Sequence, residues 1–266
     1  EFQPSKLAMR VRFPSPAPIP RGLYLHLQCK FMNAPRYGTA NTEYIKTWFG
    51  LENDGPMWAL NLMSYREFAD YQDGRESNIS GADADVRYTP IQSLTEVGAR
   101  ILFVADVAHQ LTGDDIAWDR VAIAQYPRRM AIIEMQNLES FKEAHHHKEA
   151  GMKFTIVMAT FPNPSSIAAA QKDPTDLVLL QVSNSISTPK ISDRVDAQPI
   201  GTFDVEGVIM GDHRTFAVAH WHTISTADAD QLVASKGSLN EYPESYSFIL
   251  RPMINIIPQS IEEHFA

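Results

Sequence analysis

The stretch WDRVAIAQYPRRMAIIEMQNLESFKEAHHHKEAGMKFTIVMAT, residues 118–160, decides the fold. Its two ends, VAIAQY and KFTIVMAT, are short and rich in β-branched residues, which is typical of strands. Pro127 follows the first of these segments and Gly151 precedes the second, so both mark turns. The residues between them contain no proline or glycine, and the pattern therefore predicts one long helix between two strands.

An apolar stripe at helical spacing runs along this predicted helix. Met130, Ile133, Leu138 and Phe141 form the stripe, and His145 continues it one turn further. A stripe of this kind faces the core of the protein. The spacing therefore predicts that the imidazole of His145 points inward, towards the sheet, near the C-terminal end of the helix.

The residues before this stretch complete a first ferredoxin-like unit. MWALNLMSY and ARILFVADV are predicted strands. Between them, Ser80 or Asp83 can cap a helix that runs towards Glu96, and Pro90 is expected to kink it. The resulting order, β-α-β-β-α-β, predicts an antiparallel sheet with both helices on one face.

The second half repeats this order without an evident repeat of the residues. DLVLLQVSN, GTFDVEGVIM, RTFAVAHWHTIS and SYSFILRPMINII are predicted strands, and the first helix is shortened or lost between Asn184 and Pro199. The predicted fold class is α+β, with tandem ferredoxin-like units whose antiparallel sheets form a pseudo-dimeric α/β barrel. The expected divisions are a Pro-rich arm with a lead-in, a first domain, a linker and a second domain, over residues 1–56, 57–162, 163–175 and 176–266.

Composition and charge exclude several classes of protein. The net charge of -9 leaves no basic stripe to neutralise nucleic-acid phosphates. No apolar run reaches membrane-spanning length, and a single cysteine, Cys29, excludes an intramolecular disulfide. We expect a cytoplasmic protein that binds a small molecule and can form homo-oligomers, with no nucleic-acid or membrane partner. The chain begins Glu-Phe, which leaves a removed leader peptide open.

The segments LNLMSYR, EVGARILF, WDRVAIAQYPRR and FKEAHHHKEAGM resemble the dimeric α/β-barrel superfamily, whose fold is ferredoxin-like. The resemblance covers residues 57–162, and the polar insert ADYQDGRESNISGADAD resembles an uncharacterised subgroup. The superfamily includes cofactor-free monooxygenases, polyketide cyclases, isomerases, haem enzymes and proteins without known activity. The resemblance therefore implies the fold, whereas the function has to be argued from the chemistry of the site.

Three consecutive histidines, His145, His146 and His147, precede the glycine that ends the predicted helix. Consecutive helical residues point about 100° apart, so the three side chains cannot all bind one metal ion. His145 in an apolar pocket can act as a general base, because imidazole titrates near neutrality. The structural alternative is that these histidines stabilise the carbonyl groups and dipole at the helix end. His146 is expected to face solvent.

The polar insert after the first strand supplies a second set of candidates. Tyr71, Asp73 and Arg75 lie in it, and Arg75 can hold a carboxylate or an enolate oxygen. Loops fixed on a rigid sheet often carry binding groups. An alternative, which the sequence favours equally, is a self-contained network of turn hydrogen bonds and ion pairs that holds the shape of the loop.

These residues favour an enzyme that uses acid–base chemistry on a small, hydrophobic, partly oxygenated molecule, by a lyase, isomerase or cyclase reaction. The predicted catalytic groups transfer the proton, hold the developing oxyanion or orient a partner: His145, Arg75, Tyr71 and Asp73. Asp85 is a second candidate for orienting a partner. The predicted substrate-binding residues line a pocket between the first sheet and its helices: Asn61, Met63, Phe103, Tyr126, Phe141, His147 and Met158. Asn61 can instead satisfy backbone groups.

Two alternatives belong to other classes. One is a non-catalytic barrel that binds a small ligand or forms oligomers. The other is a haem or metal-binding enzyme. His145 or His220 could be a haem ligand, although no known haem motif is present, and His220 and His222 alternate along a strand and so share one face, which suits a metal ion. A third metal ligand is not evident, and the pair also suits a pocket wall. No glycine-rich phosphate loop or GxSxG pattern occurs, and we predict no metal and no cofactor.

Overall fold

The computed structural model describes residues 35–164, 177–212, 214–241 and 245–266. The strands in this part of the chain are β1 (Thr39–Ala40), β2 (Met57–Tyr65), β3 (Arg100–Thr112), β4 (Arg120–Tyr126), β5 (Met152–Pro162), β6 (Leu177–Ser183), β7 (Gln198–Gly211), β8 (Val218–Ile224) and β9 (Ser245–Asn255). The helices are α1 (Thr42–Lys46), α2 (Gly81–Tyr88), α3 (Ile91–Glu96), α4 (Met130–Asn137), α5 (Glu139–Gly151), α6 (Thr226–Ala234) and α7 (Ile257–Phe265). Short 3₁₀ helices span Ile191–Arg194 and Lys236–Glu241.

Eight of the strands form a closed antiparallel barrel. Their order is β7-β5-β2-β4-β3-β9-β6-β8, and β8 pairs with β7 to close the ring, while β1 adds to β7. Strands β2 to β5 (the first half) and β6 to β9 (the second half) follow the same relative order, fourth-first-third-second. The predicted α+β class and antiparallel barrel are therefore confirmed.

The inside of the barrel is filled by apolar side chains from every one of these eight strands. Along β2, Trp58, Leu60 and Leu62 point inward, as the two-residue period of a strand dictates. Trp221 of β8 meets Phe103 and Phe203, with ring centroids 5.1 and 6.0 Å away. Full burial of each such side chain contributes about 1.5–3 kcal/mol, so this shared core ties the two halves together.

The helices of the first half differ from the prediction at one place. Instead of one long helix, α4 ends at Asn137 and α5 begins at Glu139, because Leu138 between them has extended backbone angles of φ -69° and ψ 144°. Ile132, Ile133 and Met135 of α4 are buried. Tertiary packing of these side chains overrides a local sequence that contains no helix breaker.

Of the other predicted elements, the cap of α2 is confirmed, whereas the kink at Pro90 is wrong. Ser80 caps α2, and its hydroxyl accepts a hydrogen bond from the backbone N–H of Asp83. Pro90 does not kink one helix but separates α2 from α3. In the second half the first helix is replaced by the 3₁₀ helix Ile191–Arg194. Helix α7 was not predicted, and its Ile257 and Ile261 join the inner core.

Parts of the sequence-based prediction lie outside the described residues. These are the Pro-rich arm and most of the linker, and the division into domains stays a prediction. Among the helices that the structure describes, none is long and apolar enough to span a membrane.

Candidate functional site between the first sheet and its helices

Helices α2 and α5 cross over the outer face of the first half at two glycines. A Cβ on Gly151 would lie 2.3 Å from the carbonyl oxygen of Gly81, so only glycine permits this approach. The Arg66 N–H donates to the Gly151 carbonyl at 2.9 Å, and the Gly81 N–H donates to the Arg66 carbonyl at 3.0 Å. The crossing therefore fixes the end of β2, where the strand register also shifts between Ser64 and Tyr65.

Six side chains converge between this outer face and the two helices, and we call them the His145 cluster: Tyr37, Tyr88, Phe141, His145, Lys148 and Glu149. The His145 ring stacks on Phe141, with centroids 4.8 Å apart. Its Nε2 lies 3.5 Å from the Tyr37 hydroxyl and 3.6 Å from a carboxylate oxygen of Glu149. Its Nδ1 is buried without a hydrogen-bond partner, while 28% of the side chain remains exposed. The prediction that His145 points inward is consistent with this geometry.

Lys148 lies one turn beyond His145 on the same helix. Its ammonium group lies over the rings of Tyr37 and Tyr88, 5.5 and 5.2 Å from their centroids. Among the described residues, no carboxylate lies within ion-pair distance of it. Burial lowers the pKa of Lys148, and the charges of Asp85 and Glu149 oppose that shift only in part. Burial likewise raises the pKa of Tyr88 well above its ordinary value.

Asp85 of α2 joins this cluster to a second group at the end of β2. The Tyr65 hydroxyl donates to the Asp85 carboxylate at 2.6 Å. Arg120 of β4 lies 3.8 Å from the same carboxylate, over the Tyr65 ring, and also binds Asp106 at 3.0 Å. Burial and the negative charge of Asp85 raise the pKa of Tyr65, so this phenol stays neutral and able to donate.

An open cavity of about 830 Å³ lies against this second group. Its lining includes Tyr65, Arg66, Asp106, Asp119, Arg120 and Lys153. The Asp119 carboxylate accepts the Tyr65 backbone N–H at 2.7 Å. The cavity lining thus contains the neutral phenol of Tyr65 and several charges of both signs. The Tyr65 hydroxyl connects the cavity to the Asp85 carboxylate.

The predicted groups of the polar insert meet His147 rather than His145. The Tyr71 hydroxyl lies 2.6 Å from Nδ1 of His147, and the Arg75 guanidinium lies 4.1 Å from the centroid of the Tyr71 ring. Arg75 also forms an exposed ion pair with Asp73 at 2.8 Å. Burial, His146 and Arg75 together lower the pKa of His147. Among the described contacts, none joins these groups to His145, so the predicted catalytic set is not assembled at one point.

Two of the predicted pocket residues lie on the other side of the sheet. Phe103 and Met158 belong to the inner core. They are aligned across neighbouring strands with Leu60 and Ile123, because Leu60 pairs with Met158 and Ile123, and Ile123 pairs with Phe103. Their placement in a pocket on the helix side was wrong. The reason is the strand register: side chains on one strand alternate between the two faces, and the sequence pattern did not show which face was which.

The other predicted pocket residues lie on the outer face. The Asn61 amide donates to the Ala59 carbonyl at 2.9 Å, the backbone alternative named above. Met63 packs with Tyr37 and Met152. The Tyr126 hydroxyl reaches the Met135 sulfur at 3.8 Å, and burial raises the pKa of Tyr126. Phe141 is in the His145 cluster. His146 is exposed, as predicted.

Several residues of the site were not predicted. Lys148 and Glu149 follow His145 by one helical turn, so their spacing could have indicated a shared face. Tyr65 falls on the outer-face period of β2 together with Asn61 and Met63. For Tyr37 the sequence offers no signal, because only the fold brings residues 35–38 against α5.

His220 and His222 share the outer face of β8, as their alternation predicted. The Nδ1 atom of His220 lies 3.1 Å from the Thr202 hydroxyl. Burial lowers the pKa of each histidine to about 4, so both are neutral near pH 7. No group of three side chains suited to binding a metal ion occurs in the described part of the chain.

No protein-family model matches the sequence, and no curated protein matches it significantly. Two structures of one protein of unknown function from Rhodopseudomonas palustris are 29% and 25% identical, cover 46% of this chain and 92% and 94% of theirs, and give TM-scores of 0.41. An anthrone oxidase-like protein is 15% identical, with 76% of this chain and 92% of its own covered and a TM-score of 0.41. A putative monooxygenase from Fusobacterium nucleatum is 8% identical, with 76% and 94% covered and a TM-score of 0.38.

Proposed function

We propose that this protein is an enzyme that moves a proton on a small, oxygenated molecule bound in the cavity beside Tyr65. The observation that carries the proposal is the position of Asp85. It accepts a hydrogen bond from the hydroxyl of Tyr65, a residue of the cavity lining, at 2.6 Å, and its charge acts on Lys148 and Tyr88 of the His145 cluster. Titratable groups brought together with perturbed pKa values are typical of acid–base sites.

The geometry supports a relay through two side chains. As the substrate gives a proton from carbon or oxygen to the Tyr65 oxygen, the phenolic proton passes to Asp85. The reverse transfer returns a proton to the substrate, at the same or at another atom. Arg120, close to both side chains, would stabilise the negative charge that develops on the substrate oxygen. If the proton returns to a different atom of the substrate, the result is isomerisation. If a leaving group departs after the proton is removed, the result is a lyase reaction.

His145 remains the proposed second proton carrier. Its Nε2 lies 3.5 Å from the Tyr37 hydroxyl and 3.6 Å from a Glu149 carboxylate oxygen, so this nitrogen can exchange a proton with either group, while the buried Nδ1 has no partner among the described residues. Proton transfer between these side chains and a carbon acid needs no bound cofactor, and the proposal includes none. Lyase, isomerase and cyclase reactions fit these groups equally.

We also propose that the two halves are tandem ferredoxin-like units, residues 57–162 and 176–266, that form a pseudo-dimeric barrel. The shared strand order of the halves supports this interpretation. Membership in the dimeric α/β-barrel superfamily, in an uncharacterised subgroup, is part of the same proposal, as is assembly into a homo-oligomer.

The test is exchange of substrate hydrogens with solvent. The protein is incubated in D₂O with a panel of small ketones, oxo acids and phenols, and loss of C–H signals is followed by proton NMR. For a molecule that exchanges, Asp85→Asn and Tyr65→Phe should slow exchange by about 100- to 10,000-fold. Exchange that is unchanged in both variants would overturn the proposed relay.

A non-catalytic binding protein is the second candidate. The Tyr65 hydroxyl already binds Asp85, and Arg120 already binds Asp106. In this interpretation these contacts have a structural role alone, which is to hold the cavity wall in place. In that case a ligand of the panel would bind in the cavity without exchange. Tyr65→Phe would then change the stability of the fold more than the affinity for the ligand.

A further inference from the structure

Two positive side chains at the cavity form no ion pair in the described part of the chain, although the charge of Arg66 acts on Asp70 at longer range. They are Arg66 at the end of β2 and Lys153 at the start of β5, and both line the cavity. Arg120, the third cation there, is different, because Asp106 binds it at 3.0 Å and Asp85 lies 3.8 Å away. The cavity therefore has positive charge that the described residues leave available to a ligand.

Arg66 is held in place by its backbone. Its N–H and carbonyl are bonded to Gly151 and Gly81 at the helix crossing, at 2.9 and 3.0 Å. Its Nε is buried and has no hydrogen-bond acceptor. No hydrogen bond or ion pair of the described residues involves the terminal nitrogens of this guanidinium either, and the side chain lines the cavity, so these nitrogens can bind a ligand oxygen.

The carboxylates near the cavity limit the charge of that ligand. Asp119 accepts the Tyr65 N–H and Asp106 binds Arg120, while Glu67 is exposed at the rim. These three negative charges would repel a dianion such as a phosphate monoester more strongly than a single carboxylate. The planar fork of Arg66 also matches a carboxylate in a bidentate contact.

We propose that the cavity binds a molecule with one carboxylate group, which Arg66 holds in a bidentate contact and Lys153 attracts at longer range. The inference rests on the proposed function, because it places the rest of the substrate next to the Tyr65 hydroxyl. It narrows the substrate class to small monocarboxylic acids whose reacting atom lies near the carboxylate.

The test uses benzoate and benzamide, which have the same shape and differ in charge. Ligand-observed NMR titrations are recorded with the wild-type protein, Arg66→Gln and Arg87→Gln. Arg87 is an exposed arginine on α2, outside the cavity lining, so its variant has the same change in net charge. The wild-type protein and Arg87→Gln should bind benzoate about tenfold more tightly than benzamide, and Arg66→Gln should lose this preference.

Equal affinity of the wild-type protein for benzoate and benzamide would overturn the proposal. An equal loss of benzoate affinity in Arg66→Gln and Arg87→Gln would overturn it as well. Thermal unfolding shows whether Arg66→Gln is folded. If it is not, Arg66→Lys replaces it, and unchanged benzoate affinity there would overturn the bidentate contact. Asp85→Asn separates this inference from the proposed function, since it should bind benzoate normally but fail in the exchange assay. If benzoate binding depends on Arg66 but no compound exchanges hydrogen with solvent, the carboxylate-binding site is supported and the proposed enzymatic function is wrong.

Discussion

The outer faces of the two halves of the barrel are covered in different ways. Over the first half, α2 and α5 cross at Gly81 and Gly151, and side chains from several elements meet beneath them. Over the second half, α6 and short 3₁₀ segments pack on Leu179, Ile224 and Ile249. The same strand order therefore supports two different surfaces, because the connection between the first two strands of each half differs.

The buried polar groups of the two faces differ as well. In the second half, Gln181 is satisfied by Pro189 and Ile191, and His220 and His222 are neutral near pH 7. In the first half, the charges of Lys148, Glu149 and Asp85 lie close together without full pairing, and the Nδ1 of His145 has no partner. The described part of the second half also has buried hydroxyls without a partner, on Ser183 and Ser247, but these groups do not titrate near neutral pH. A candidate site is therefore indicated by titratable groups from separate elements that are incompletely paired.

The largest effect is expected at the helix crossing, which only the first half has. Gly151→Ala would place a methyl group 2.3 Å from the Gly81 carbonyl, and we expect a loss of about 3 kcal/mol in the free energy of unfolding. Urea denaturation measures it. The matched control is Gly237→Ala in the second half, where no atom lies within 4 Å of the added carbon. Equal stability of the two variants would show that the crossing is not rigid.

The second prediction concerns acid stability, which we expect to be set by the second half. His220 and His222 have folded-state pKa values of about 4, below the ordinary value of 6.5. The unfolded chain takes up these protons first as the pH falls from 6.5 to 4, so stability is full above this range and is lost within it. The loss should be on the order of 2 kcal/mol and should come from both histidines, because their pKa values are lowered alike.

Urea titrations at several pH values measure this dependence. Replacing both histidines by glutamine should flatten stability between pH 6.5 and 4. His109→Gln, at an exposed histidine of β3, should leave the slope as it is. A slope that survives the double replacement would assign the acid response to other histidines, such as His147 of α5 and His264 of α7, whose pKa values burial also lowers.

A smaller effect is expected at the His145 cluster. His145→Gln keeps a hydrogen-bonding side chain but removes the proton-accepting ring, and deuterium exchange on an active substrate should slow by about tenfold. The exposed neighbour gives the control, because His146→Gln changes the same residue type outside the cluster. If both variants exchange at the wild-type rate, His145 has a packing role only.

The smallest effect is expected in the polar insert. Arg75 pairs with Asp73 at an exposed position, so Arg75→Gln should change stability by less than about 1 kcal/mol. The rate of hydrogen exchange on the substrate should stay within about twofold of wild type, because an exposed ion pair contributes little. Both quantities come from the urea and NMR measurements already described. A large loss of exchange would move the candidate site from Tyr65 to the neighbourhood of Tyr71 and His147.

The fold was largely predictable because it depends on short-range patterns. Short apolar segments indicate β2, β4 and β5, and Ser80 indicates the start of α2. The break at Leu138 was not predictable, since no proline or glycine marks it and only packing of α4 places it there. The face on which Phe103 lies was not predictable either, because a shift of one residue in register exchanges the two faces.

By itself the sequence determined that helix and strand alternate as in an α+β barrel and that His145 belongs to the buried side of its helix. Tertiary structure alone decided which groups meet. It placed Tyr71 and Arg75 against His147, brought Tyr37 to His145, and left Arg66 with an unmet donor. The physical reason is that secondary structure follows from spacing along the chain, whereas contact between distant residues depends on how the helices cross, here at two glycines.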